Sequence, residues 1–220
     1  MSFDRFHQLA RDGNLMEVKA ICEKEFKGVG IDQADHAGFT ALARACEKGH
    51  LEVVEYLASQ YCSLSVKGPN GIMPQHIAAQ FGHVNVLSWM CDQGSVDMSA
   101  VDSHGYTALH FGARWGFVKV VSLLLSQGVD ATLKDSSGHT PLDLYCLHLQ
   151  CGRTELRYSE GRPINDDVRF LLEAASSSPF PNVDFRDDGM NFRSSILTEW
   201  KTAYKTYLNK VRDWLRRSRR

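Results

Sequence analysis

The apolar positions of this chain recur as a triplet that returns at a fixed interval. Val53, Val54 and Leu57, then Val86, Leu87 and Met90, then Val120, Val121 and Leu124 each have the spacing of one buried helical stripe. A shorter apolar segment precedes each stripe and carries a small pair, Ala45-Cys46, Ala78-Ala79 or Gly112-Ala113, which lets helices approach closely. Glycines punctuate the pattern. Gly38, Gly71, Gly105 and Gly138 lie 33, 34 and 33 residues apart, and Gly49, Gly82 and Gly116 follow the first three by eleven residues each. The pattern predicts a tight turn, a short helix, a glycine and a longer helix, repeated. Helices this short bury one face against each other and need neighbouring copies to cover the rest.

Turn and cap residues agree with that reading. Thr40, Thr107 and Thr140 stand where a helix N-cap is wanted, and Pro74 and Pro141 fall at a first helical position, where no amide bond is lost. The openings Gly38-Phe39-Thr40-Ala41-Leu42, Gly105-Tyr106-Thr107-Ala108-Leu109-His110 and Gly138-His139-Thr140-Pro141-Leu142, with their period, resemble the ankyrin repeat. The resemblance covers residues 3–175 and implies an all-α solenoid of about five units, each a β-turn plus a helix pair. It also implies a binding platform with a concave face, and it carries no chemistry of its own.

Several units depart from the pattern. Phe6 to Val18, with Gly13, reads as a degenerate first unit, in which Leu9, Ala10, Val18 and Ile21 face the next unit. Met73 and Gln75 replace the expected Thr and Leu, which should remove a cap and a core contact and leave that unit locally weaker. The last unit breaks the period: extra residues between Cys151 and Asp167 separate its helices, and Leu171-Leu172 is the expected match for the apolar stripe. The organisation expected is therefore a repeat domain over 1–175, a linker over 176–193 and a helix over 194–220.

That helix is strongly amphipathic, with Trp200, Tyr204, Tyr207 and Trp214 among its apolar residues and Arg216 and Arg217 near its end. Charge sets it apart. The whole chain carries a formal charge of -1, yet residues 193–220 hold nine basic and two acidic residues, so the remainder is strongly acidic. Such a helix can dock on the repeats, enter a partner's groove, or lie on an anionic membrane surface. Its basic tail alone is a weak pointer to nucleic acid, and a nucleic-acid partner is not expected.

With 43% hydrophobic and 23% charged residues the composition is that of a globular protein, and no apolar run is long enough to span a bilayer. The start, Met1-Ser2-Phe3-Asp4-Arg5, has no pattern of a secretory leader. Six scattered cysteines, with Cys46 and Cys91 at core positions of the repeat, fit reduced thiols in a cytoplasmic or nuclear protein. The chain is expected to be monomeric on its own.

Catalysis finds no phosphate loop, zinc-protease helix or nucleophile elbow to rest on. His76 and His110 take the repeat's fixed histidine position, which implies a ring bonded to the turn backbone. His139, Cys146, His148 and Cys151 are metal-ligand types, but their spacing matches no zinc knuckle or finger, so neither a metal nor a cofactor is expected.

The expected site is the concave face, reached by a protein partner. Its outward positions, as the repeat implies them, are polar in the first two units (Gln8, Arg11, Asp12; Arg44, Glu47, Lys48). In the next two they become Ile77, Gln80 and Phe81, then Phe111, Arg114 and Trp115. Large apolar side chains with an arginine are the composition of binding hot spots. The turn tips His36, Asn70, His104 and Ser137 should flank them.

Overall fold

A computed structural model describes residues 3–26, 30–150 and 166–176 of the chain. The expected linker beyond Ser176, the expected basic carboxy-terminal helix with Trp200, Tyr204, Tyr207, Trp214, Arg216 and Arg217, and most of the insertion lie outside them.

Among the described residues ten α-helices form five pairs: α1 (Phe3–Asp12) with α2 (Leu15–Ile21), α3 (Ala41–Lys48) with α4 (Leu51–Ser59), α5 (Pro74–Gln80) with α6 (Val84–Asp92), α7 (Ala108–Arg114) with α8 (Val118–Ser126), and α9 (Pro141–Gln150) with α10 (Asp166–Ser176). First helices pack side by side in the order α1, α3, α5, α7, α9, and second helices as α2, α4, α6, α8, α10. The architecture is the all-α solenoid that the repeat implies. Among the described residues the β-character is confined to the turns, with one isolated bridge between Ala34 and Thr40.

The predicted caps form. Thr40 accepts a hydrogen bond from the Ala43 amide at 3.2 Å, and Thr107 accepts one from the His110 amide at 3.4 Å. Each stripe on a second helix is sealed: Val54, Leu57, Val86, Leu87, Met90, Val120, Val121 and Leu124 have no exposed surface. Burial of one such side chain contributes about 1.5–3 kcal/mol. The small pairs lie in the core too, and a Cβ added to Gly112 would come within 2.7 Å of Val120 Cγ1.

Glycines in mid-unit do a second job that the period alone does not reveal. The ring that opens each following unit's second helix lies against the preceding unit's glycine: His50 on Gly13, His83 on Gly49, Phe117 on Gly82. A Cβ at Gly49 would sit 2.4 Å from His83 Nδ1, and its φ of +76° is itself hostile to a side chain. The ring of His83 also bonds the Glu47 carbonyl at 2.9 Å, tying two units together.

Four expectations need correction. Cys91 is only partly buried, unlike Cys46. In α10 it is Val168 with Leu172 that is fully buried, while Leu171 is partly exposed, so the stripe starts one helical turn earlier. Asp166 and Asp167 belong to α10 and not to the insertion. Gln75, expected to vacate the core, fills it instead: it is 1% exposed, and its amide nitrogen bonds the Asp97 carbonyl at 3.3 Å.

Candidate partner-binding face

The face expected to bind a partner begins at the turns. Asp35 Oδ1 accepts from the amides of Ala37 and Phe39 at 2.9 and 3.0 Å, and Asp102 Oδ1 from His104 and Tyr106 at 2.8 and 2.9 Å. Asp135 Oδ1 does the same with Ser137 and His139, both at 2.8 Å. One carboxylate oxygen thus fixes each of these three tips. The third turn has Gly68 where the others have Asp, and Asn70 adopts φ +55° there, a conformation Asn tolerates. Adjacent tips are laced by backbone: Ser103 N–H donates to Asn70 C=O at 2.8 Å and Ser136 N–H to His104 C=O at 2.9 Å. The side chains of His36, Asn70, His104 and Ser137 are exposed along this row.

In the first two units the face is a chain of ion pairs. Arg44 binds Asp35 Oδ2 at 2.7 Å and Glu47 at 3.0 Å, and Arg11 reaches the other Glu47 oxygen at 2.7 Å. Burial pushes the Asp35 carboxyl up, but the Phe39 and Ala37 amides and the Arg44 guanidinium outweigh it and hold it below the usual range. Glu47 is held low in the same way by Arg44 and Arg11 against its burial. A shallow pocket of about 200 Å³ opens beside this network, lined by Asp4, His7, Gln8, Arg11, Asp35, His36 and Arg44.

The third and fourth units differ. Phe81 is 41% exposed, its ring stacked at 6.4 Å on His83. Exposed Arg114 lies over the half-buried Trp115 at 5.9 Å, and Trp115 meets His148 edge-on at 5.3 Å. Burial and the charge of Arg114 both keep the His148 imidazole from protonating readily. Gln80, half-buried, immediately precedes Phe81 at the end of α5.

Ile77 and Phe111 are not on this surface. They are 6% and 7% exposed and belong to the core. For Phe111 the reason includes the residue after the turn glycine. Tyr106 covers Phe111 edge-to-face at 5.5 Å, and the His76 ring closes the other side at 5.6 Å. In the second unit the equivalent Phe39 lies under Arg44 at 4.8 Å, but the longer arginine reaches past it to its carboxylates. Phe39, Ile72 and Tyr106 occupy the same place in the repeat, so the cover was legible in the sequence as a recurrent large residue, though not which neighbour it would shield.

His76 and His110 bond their turns as expected. Nδ1 of each accepts from the backbone amide of Met73 or Thr107, at 3.2 and 3.1 Å, and Nε2 faces the carbonyl of Ala100 or His139, at 2.9 and 3.3 Å. The metal-type residues turn to different neighbours: His139 toward Asp135 and His148 toward Trp115, with Cys146 packed on the core. Cys151 lies outside the described residues.

A family model described as ankyrin repeats (3 copies) matches residues 5–68 and 62–135. The chain is 36% identical over 181 residues to the Inhibitor of Bruton tyrosine kinase of Xenopus laevis, across 78% of this chain and 13% of that protein. It is 31% identical over 205 residues to the human SH3 and multiple ankyrin repeat domains protein 2, across 88% of this chain and 11% of that protein. Palmitoyltransferase AKR1 of Lachancea kluyveri is 27% identical over 174 residues, across 79% of this chain and 22% of the enzyme. The chain thus matches only a small part of each of these proteins.

Proposed function

Because this chain belongs to the ankyrin repeat proteins, we propose that it is a non-enzymatic adaptor that holds another protein against its concave face. The observation that carries this reading is the row of Phe81, Arg114 and Trp115, displayed at the ends of successive first helices of the stack. Large apolar side chains beside a cation, at least partly open to solvent, are a cost to an isolated protein unless a partner covers them. Gln80 and the tips His36, Asn70, His104 and Ser137 form the polar rim, while Ile77 and Phe111, being buried, take no part in it. The relatives support a platform role. An inhibitor of a kinase, a protein named for SH3 and ankyrin domains, and an acyltransferase share this segment and little else in their names, so the segment suits targeting better than chemistry.

Affinity capture with wild-type chain and with Trp115→Ala, compared band by band and alongside melting curves, tests the reading. Specific partners should be lost from the variant, a weakening of roughly 2 kcal/mol or more, with little change in melting temperature. A loss of stability as large as the loss of binding would place Trp115 in the core and remove the proposal's basis. Anchoring through the basic segment 194–220 on anionic lipid is the alternative, carried by the sequence pattern of that segment. Flotation of the full chain with anionic vesicles, against a chain ending at Ser177, separates the two.

A further inference from the structure

The charges of the concave face are not evenly satisfied. In the first two units the buried ends of Arg11 and Arg44 are neutralised by Glu47 and Asp35, Lys48 stands 4.0 Å from Glu47, and Asp12 accepts from Gln8 at 2.9 Å. A ligand charge arriving there would have to break a pair already made. Arg114 is the exception: it is exposed, rests on an aromatic ring, and has no carboxylate within ion-pair distance among the described residues. Asp102 and Asp135 are 7% and 6% exposed; Oδ1 of each holds two turn amides, Asp135 Oδ2 lies 3.6 Å from His139 Nδ1, and neither makes with Arg114 the pair that Asp35 makes with Arg44.

We propose, on the reading that this face binds a protein, that the third and fourth units select an acidic peptide segment. A Glu or Asp of the ligand meets Arg114, and an adjacent aromatic or aliphatic side chain lies on Phe81 and Trp115. A guanidinium held by stacking keeps its edge N–H groups free for a bidentate carboxylate, which is stronger than a neutral hydrogen bond and directional. A basic segment, by contrast, would be repelled at Arg114 and would find the carboxylates of the first two units already taken.

The test is to pan the full chain against a displayed library of random short peptides and measure fluorescein-labelled winners by anisotropy. Enrichment of Asp and Glu next to an aromatic or aliphatic residue is expected. Arg114→Gln should weaken those peptides about tenfold or more, with a larger effect at low salt, and Arg114→Glu should turn the preference toward basic peptides. Arg114 is exposed, so both variants should melt with the wild type. Acidic peptides that bind Arg114→Gln undiminished would be held elsewhere, with the basic residues 193–220 the evident place, and the proposal fails. Neutral or basic winners that are lost with Trp115→Ala would overturn the acidic selectivity and leave the face standing as a binding site. Winners indifferent to both positions, or no winners at all, would sink the selectivity and the concave-face reading together.

Discussion

At the scale of single residues, small groups decide how closely units approach. Gly49→Ala brings a methyl group against the His83 ring and forces φ +76° on a side chain; a destabilisation of about 1–3 kcal/mol is expected from the backbone conformation alone. Denaturant melts of Gly49→Ala, His83→Ala and the double variant should show coupling, because removing the ring removes the clash but not the backbone strain. The buried histidines give a pH signature. Burial, against their backbone partners, pulls His76 and His110 below the ordinary imidazole value near 6.5, and His83 is lowered likewise. Above that value both folded and unfolded chains leave these rings neutral. As pH falls below it the unfolded chain takes up protons that the folded chain refuses, so stability is lost. The depressed carboxylates contribute only as pH approaches the ordinary carboxylate range, well below this window. Melting temperature should therefore begin to fall between pH 6.5 and 5, and a flat profile there would contradict the buried, neutral state of these rings.

At the scale of the element, the third unit carries the clearest conflict between local chemistry and fold. Met73 supplies no side-chain cap to α5, and the Gln75 side-chain oxygen is buried without a hydrogen-bond partner. An unsatisfied buried acceptor costs about 1–3 kcal/mol, so Gln75→Leu, which restores the repeat's usual residue, should stabilise by about 1 kcal/mol in urea titrations. A destabilised variant would mean that the bond from Gln75 to the Asp97 carbonyl outweighs the orphaned oxygen. Periodicity could identify the substitution but not its outcome, since whether a polar residue leaves the core or finds a partner inside depends on the connection from the next unit.

At the scale of the molecule, the described helices pack within their own unit and on the adjacent ones, and one apolar cluster runs along the stack. Stability in such a stack is a sum of unit and interface contributions, and a weak link in the middle divides it. Leu87 is fully buried in α6. Leu87→Ala should cost about 2–5 kcal/mol and split one thermal transition into two, seen as a broadened or biphasic calorimetric trace. A single sharp transition at lower temperature would show that the units melt as one despite their neighbour-only contacts.

The sequence by itself determined the repeat, its period, the caps, the buried stripes and the all-α solenoid, because each follows from spacing within one unit. It determined equally that Arg114 and Trp115 stand at a helix end. Which side chains remain open was decided only by the tertiary structure. Ile77 and Phe111 share a helix position with Arg44, yet they are sealed while Arg44 reaches carboxylates; Phe111 is closed in by Tyr106 of its own turn and His76 of the preceding unit, whereas the long cation at that position extends past Phe39. Exposure at an interface between units depends on both of its sides, and a pattern read along one strand of the repeat holds only one of them.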